Sequence, residues 1–212
     1  MGKIEQQHVF ILNILIDNME FDSVVYKRRS VRSFSGKKVD FRNVLDAIDA
    51  VIQGPFAGNI NNLHFLIVEE KETIGMIAEH SDQSWIGEAG VVVLICSDDA
   101  HIENIYGERG RVYSRQQAGA AIQTFLLKLI DMGLAGCWVG AFSDEIIKEN
   151  LKIPQNIQIE AIIPIGYEKK KPGTHKPLKK QLENILRWED WDTERRPTLF
   201  EENGEPFSPP KK

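Results

Sequence analysis

Gly90-Val91-Val92-Val93-Leu94-Ile95-Cys96-Ser97 is a continuous apolar run rich in β-branched residues, without the polar alternation of a half-solvated strand. It reads as a strand covered on both faces. Upstream, His64 to Glu69, with its Phe-Leu-Ile-Val centre, predicts a second buried strand, and Glu72 to Glu79 a short helix between the two. Downstream, Ala118, Ala121, Ile122, Phe125, Leu126, Leu129 and Ile130 recur at helical spacing. They predict a long central helix over Ser114 to Met132, closed by Gly133. Cys137 to Val139 then reads as a short extended piece. Ser143 caps a helix that ends before Pro154, and Ile157 to Ile165 returns to strand. Nearer the start, Phe21-Asp22 begins a short helix ending near Arg28. Asp40 caps another, carrying Phe41, Val44, Leu45, Ile48, Val51 and Ile52 and stopped by Gly54-Pro55. A lysine-rich turn over 166–177 and a final helix from Leu178 to Arg187 complete the pattern. Strands and helices intermix without regular βαβ alternation, which makes the fold class α+β.

At 212 residues, 42% hydrophobic and 27% charged, the chain suits one globular domain rather than a disordered or fibrous protein. Its longest apolar runs, Val9 to Ile16 and Val91 to Cys96, fall short of the roughly 20 residues that a membrane-spanning helix needs. Asn13 interrupts the first run, Asp17 and Asn18 follow it, and no small-residue cleavage site is present, so a cytoplasmic protein without signal peptide is expected. Cys96 and Cys137 lie in apolar segments without metal-ligand spacing and read as small core residues. His64, His80 and His101 stand alone and read as structural. No metal site is expected.

The net charge of −5 is unevenly spread. Residues 26–38 carry +6 and residues 168–180 carry +5, which leaves −16 for the rest of the chain. An acidic remainder argues against a nucleic-acid binder. Two remote basic segments fit a small anionic ligand if they meet in space, and two solvated runs if they do not. Arg28-Arg29-Ser30-Val31-Arg32 has the composition of a phosphate grip, or of a charged helix end complementing the helix dipole. Ala135-Gly136-Cys137-Trp138-Val139-Gly140-Ala141-Phe142 lets backbone N–H groups approach a planar ligand, or simply packs as a tight strand.

Taken together, four motifs resemble the nitroreductase family of flavoproteins over residues 19–187. They are Arg28-Arg29-Ser30-Val31-Arg32-x-Phe34, Pro55-x-x-x-Asn59, Gly133-Leu134-x-x-Cys137-Trp138-x-Gly140-x-Phe142, and Ile163-x-x-Gly166-Tyr167 before a Lys-Pro-rich turn. The resemblance implies an α/β sandwich with a central, mostly antiparallel sheet flanked by helices. It also implies an intertwined homodimer with FMN at the interface. Chains of the family commonly begin at the position of Met19-Glu20-Phe21, which leaves residues 1–18 as an N-terminal extension; Trp188 and Trp191 are aromatic anchors in a polar segment, by which the tail, residues 188–212, could wrap the partner subunit.

By the same resemblance, Arg28, Arg29 and Ser30 hold the FMN phosphate and ribityl chain, and Arg32 supplies a cation at the flavin pyrimidine edge. Val139 and Gly140 turn backbone N–H groups to the reactive ring, and His175 and Lys176 are late phosphate ligands. Pro55, Phe56, Ala57 and Asn59 belong to a loop lent by one subunit to the flavin of the other. Many members have Pro-Ser-Ser-x-Asn-x-Gln-Pro-Trp there; both serines, the glutamine, the proline and the tryptophan are replaced here. Gln83 matches a polar flavin contact of some members, or is an exposed loop amide. Tyr106, Arg109 and Tyr113 are candidates for the acceptor pocket. The activity implied is hydride transfer from NADH or NADPH, through FMN, to a nitroaromatic or quinone. Flavin reduction, dehalogenation, ring oxidation, or FMN carriage without catalysis are the alternatives on the same fold. No catalytic side chain is required, because the flavin carries the chemistry.

Overall fold

The structure is a computed structural model describing residues 20–169 and 184–194. Helix α1 (Phe21–Lys27) starts from Glu20, which makes no side-chain cap bond, and Asp22 lies in its first turn rather than capping it. Helix α2 (Phe41–Ile52) is capped as expected, with Asp40 Oδ1 accepting the Arg42 N–H at 3.0 Å. A 3-10 turn (Ala57–Asn59) leads to strand β1 (Leu63–Val68), helix α3 (Lys71–His80), a second 3-10 turn (Ser84–Glu88) and strand β2 (Val91–Asp98). Then come α4 (Ala100–Tyr106), α5 (Glu108–Asp131), β3 (Ala135–Gly136), α6 (Asp144–Leu151) and β4 (Ile157–Gly166).

The four strands form one antiparallel sheet in the order β1-β2-β4-β3. The expected α+β sandwich is therefore present, with β2 in the middle and every residue from Val91 to Ser97 buried. Its odd residues Val91, Val93 and Ile95 pack with Val44, Ala47 and Val51 of α2 and with Ile122, Phe125 and Leu129 of α5. Its even residues Val92, Leu94 and Cys96 pack with Ile74 and Ile77 of α3 and Ile147 of α6. Alternation across the pleat thus supplies a separate core to each helical layer, which is why the run has no polar member.

Several details depart from the sequence pattern. Strand β1 is an edge strand, so His64 is exposed and Phe65 to Ile67 are only half-buried. The long helix begins at Glu108, six residues before Ser114, because its first turns are mostly exposed and carry no apolar stripe; Gly107, at φ 59°, is the break from α4. Strand β3 lies at Ala135–Gly136, just before the extended piece expected at Cys137 to Val139, of which Val139 makes an isolated bridge to Ile162. Ser143 occupies the N-cap of α6 without a side-chain bond. Most of the helix expected over Leu178 to Arg187, with residues 1–18 and most of the tail, lies outside the described residues. In the short segment 184–194, Asp190 Oδ1 accepts the N–H groups of Asp192 and Thr193, and the Arg187 guanidinium lies 5.6 Å from the Trp191 ring centre.

Gly166 ends β4 against Phe34. A Cβ added at Gly166 would stand 2.8 Å from Phe34 Cδ1 and 3.2 Å from Phe34 Cβ, and Phe34 is itself only 4% exposed. Gly166→Ala is therefore expected to destabilise the fold by about 1–3 kcal/mol in denaturant titration, as overpacking does.

Candidate functional site

The chain leaving α1 runs alongside β3 and the end of β4. Val31 N–H donates to Gly136 O at 3.2 Å, Phe34 bridges Glu168, and Ser35 N–H donates to Tyr167 O at 2.9 Å. Val31 and Phe34 are buried and pin the segment. Arg32, Ser30 and Arg28 all favour the ionised form of Cys137, which lies one residue beyond the Gly136 that Val31 pairs with. Arg29 is engaged elsewhere, its Nη2 lying 2.5 Å from Glu168 Oε2. Among the described residues, Arg28 and Arg32 have no carboxylate partner.

Cys137 sits at the centre of this convergence, 1% exposed. Burial pushes its thiol pKa up, opposed by Arg32, by a hydrogen bond from the Ser30 hydroxyl and by Arg28. Cys96 is pushed up to about 11, chiefly by burial and then by Glu160 and Asp144. Both thiols are therefore protonated at neutral pH, which suits core residues and not nucleophiles.

The next residues face outward. Trp138 is 43% exposed and lies against Gly119 of α5 and beside Gly140. A Cβ at Gly140 would meet only Trp138 Nε1, at 3.9 Å, so the chain's own packing does not demand a glycine there. The open space suits the close approach of another group to the backbone. The donor expected of Val139 is corrected: its N–H is donated to Ile162 O at 3.0 Å, a bond made by the isolated bridge. Gly140 N–H has no such backbone partner among the described residues.

Gln83, just before the second 3-10 turn, reaches the same place, its Nε2 donating to Ala141 O at 3.5 Å, while Ser143 N–H donates to His80 O at 2.8 Å. Two residues on, Trp85 has a part that sequence reading missed. The Arg32 guanidinium lies 6.0 Å from its ring centre and the Phe34 ring 6.4 Å from it, so Trp85 backs the cation from one side. Glu168, which holds Arg29, was also missed. Its only signal is being the one acid in a basic run.

The loop carrying Pro55, Phe56, Ala57 and Asn59 is held by α5 instead. Gln117 Oε1 accepts the Ala57 N–H at 3.2 Å, Gly58 and Asn59 take positive φ of 60° and 58°, and a Cβ at Gly58 would stand 2.6 Å from the Tyr106 hydroxyl. Tyr106 packs edge-on to Tyr113 at 5.3 Å, and Arg109 lies 5.5 Å from the Tyr113 ring centre. Those three residues therefore stand with the 55–59 loop. Among the described residues, no hydrogen bond or ring contact joins this loop to Arg28–Arg32. His175 and Lys176 lie outside the described residues. A cleft of about 540 Å³ at the opposite end of β4 is lined by Asp99, Glu103, Arg111 and Arg115, whose charges are paired with one another, and it is remote from the Cys137 convergence.

Among the described residues, no cluster of His, Cys, Asp or Glu could hold a metal ion, and no helix is long and apolar enough to cross a membrane. Two guanidiniums without carboxylate partners and a hydroxyl beside an open glycine backbone fit a flat cofactor with an anionic tail.

The chain is 26% identical over 178 residues to a protein of Methanothermobacter thermautotrophicus named as an NADH dehydrogenase/NAD(P)H nitroreductase, covering 82% of this chain and 90% of that one. A nitroreductase family protein from Clostridium novyi superposes with a TM-score of 0.67 at 25% identity, over 82% of this chain and 96% of that one. An FMN-dependent nitroreductase of Clostridium difficile shares the fold, with a TM-score of 0.67 at 19% identity over 79% and 98% of the two chains. The sequence profile of the nitroreductase family matches residues 25–85 and 70–167, and on that match the chain belongs to the nitroreductase family.

Proposed function

We propose that the protein is an FMN-dependent oxidoreductase that takes hydride from NADH or NADPH and reduces a flat, electron-poor acceptor, a nitroaromatic or a quinone. Donor and acceptor would alternate in one open pocket. The observation that carries this reading is the pairing of the Arg28–Arg32 segment with β3 through Val31 N–H and Gly136 O, which sets two guanidiniums without carboxylate partners among the described residues beside the strand that leads to the open backbone at Gly140. FMN, when bound, would supply the two-electron redox chemistry that links donor and acceptor.

The side chains bind, orient and tune. Arg28 and Ser30 hold the phosphate and ribityl chain, with Arg29 shared between that task and Glu168. Arg32, backed by Trp85, would keep a positive charge beside the flavin pyrimidine edge and so favour the ring's acceptance of electrons. Gly140 offers its N–H to the reactive edge. Val139 fixes that edge through its bridge to Ile162, and Gln83 steadies the adjacent Ala141. Pro55, Phe56, Ala57 and Asn59 come from the second subunit of a homodimer. Their anchorage on α5, away from the arginines of their own chain, supports that assignment.

The purified protein is expected to be yellow, with oxidised-flavin absorbance, and to release on denaturation a chromophore of the mass of FMN. A nitroaromatic should accelerate its consumption of NADH or NADPH. A colourless chain that takes up no FMN on reconstitution ends this reading.

A further inference from the structure

Four of the six buried polar residues among those described belong to one hydrogen-bonded chain that ends on the 55–59 loop: Ser97, Ser114, Asn62 and Gln117, each 6% exposed or less. Asp99 accepts the Ser114 hydroxyl at 2.6 Å. Ser114 Oγ accepts Asn62 Nδ2 at 2.8 Å, and the same amide donates to Asp98 O at 3.0 Å. Asn62 Oδ1 accepts Gln117 Nε2, which also donates to Ile60 O at 3.2 Å. Gln117 Oε1 is left to accept the Ala57 N–H at 3.2 Å. Arg115 binds both Asp99 and Glu160, and Ser97 Oγ donates to Glu160 at 2.5 Å. Glu160 is available because the irregularity between β2 and β4 at Ile95/Cys96 leaves it without a partner in the ladder.

The chain has a direction. An ionised carboxylate can only accept, so Asp99 obliges Ser114 to donate to it. Ser114 must then accept from Asn62, which turns the Asn62 oxygen toward Gln117 and the Gln117 oxygen toward Ala57. A carboxylate at the end of β2 thus decides which way a glutamine amide faces a loop several residues away, and every donor and acceptor along the path is satisfied. Neither amide can flip without leaving buried groups unpaired, which is costly. The loop so held carries the consecutive left-handed residues Gly58 and Asn59, a geometry that external pinning helps to maintain.

We propose that Gln117 is a positioning residue for the flavin-contacting loop, acting through the Ala57 N–H, and that Asp99, Ser114 and Asn62 fix its amide orientation. This rests on the reading of the loop as a cofactor contact. The loop would touch the flavin ring and not the phosphate, so loss of its pinning should weaken FMN and riboflavin alike.

The test is to titrate full-length apoprotein with FMN and with riboflavin, following flavin fluorescence, for wild type, Gln117→Met and Ser114→Ala. Melting of each apoprotein is measured alongside. Gln117→Met keeps the shape and removes both hydrogen-bonding roles. It is expected to raise both dissociation constants by the same factor, about tenfold, as loss of one contact of ordinary strength would. Ser114→Ala leaves the Ala57 bond but frees the amides to turn, and should move both constants in the same direction by a smaller factor. Should Gln117→Met fail to fold, Ser114→Ala alone decides. Lower melting temperatures with unchanged flavin constants would overturn the positioning role, as would loss of FMN without loss of riboflavin. A wild-type chain that binds neither flavin overturns the reading of the site itself, and this proposal with it.

Discussion

Arg28→Gln is expected to raise the dissociation constant for FMN by about 10- to 100-fold and to leave riboflavin within about threefold. The size follows from what Arg28 has around it. No carboxylate among the described residues neutralises its guanidinium, which already lowers the Cys137 pKa. A phosphate therefore gains a full charge-assisted interaction, worth about 1.5–3 kcal/mol, without displacing an internal partner. Arg29→Gln should cost less, because Arg29 must first give up Glu168 at 2.5 Å. The half-exposed setting adds a salt signature. Screening over a Debye length of about 10 Å at 0.1 M should narrow the gap between wild type and Arg28→Gln as ionic strength rises. Titration of apoprotein with both flavins at two salt concentrations measures this. Equal loss of FMN and riboflavin would remove Arg28 from the phosphate.

The same contrast shows what was legible in the sequence. The strand at Val91–Cys96, the Asp40 cap and the stripe from Ala118 to Leu129 are local signals, set by propensity and periodicity over neighbouring residues, and all appear where expected. The convergence of Arg28, Ser30 and Arg32 on Cys137 is non-local. Its i, i+2, i+4 spacing is visible in the sequence, but spacing becomes a shared face only once the chain is extended beside β3. The donor assigned to Val139 failed for a related reason, since a bridge to Ile162 cannot be read from either segment alone. Trp85 and Glu168 owe their parts to side-chain meetings across the fold. Gln117 did leave a trace: with Ser114 it falls at i−4 and i−7 from Ala121, polar residues in line with an apolar stripe. A polar residue on a buried face needs a partner, and here the partners lead to the candidate site.

Leu45→Asp should have an effect of comparable size by a different route. On α2, Val44, Ala47 and Val51 fill the core, while Phe41, Leu45 and Ile52 remain 50%, 46% and 52% exposed. At 3.6 residues per turn, Phe41, Leu45, Ile48 and Ile52 fall within about 60° of one another and form a second apolar stripe beside the buried one. Phe21 and Val25, one turn apart on α1, add a further exposed apolar pair at 71% and 40%. Apolar stripes of this kind are what a subunit interface covers. In the proposed homodimer, two-fold symmetry introduces each substitution twice, so Leu45→Asp would place two charges in one apolar contact. The expected result by sedimentation is a fall from twice the 24.1 kDa chain mass to the chain mass itself. Cofactor loss should accompany it, because α2 ends at Ile52 and the 55–59 loop begins three residues later. Once the face parts, the loop leaves the partner's flavin, and FMN and riboflavin are lost together. That pattern is the opposite of Arg28→Gln, so the pair of variants separates the phosphate grip within one chain from the loop contributed by the other. A monomeric wild-type protein that retains FMN would refute the shared site, whatever Leu45→Asp does.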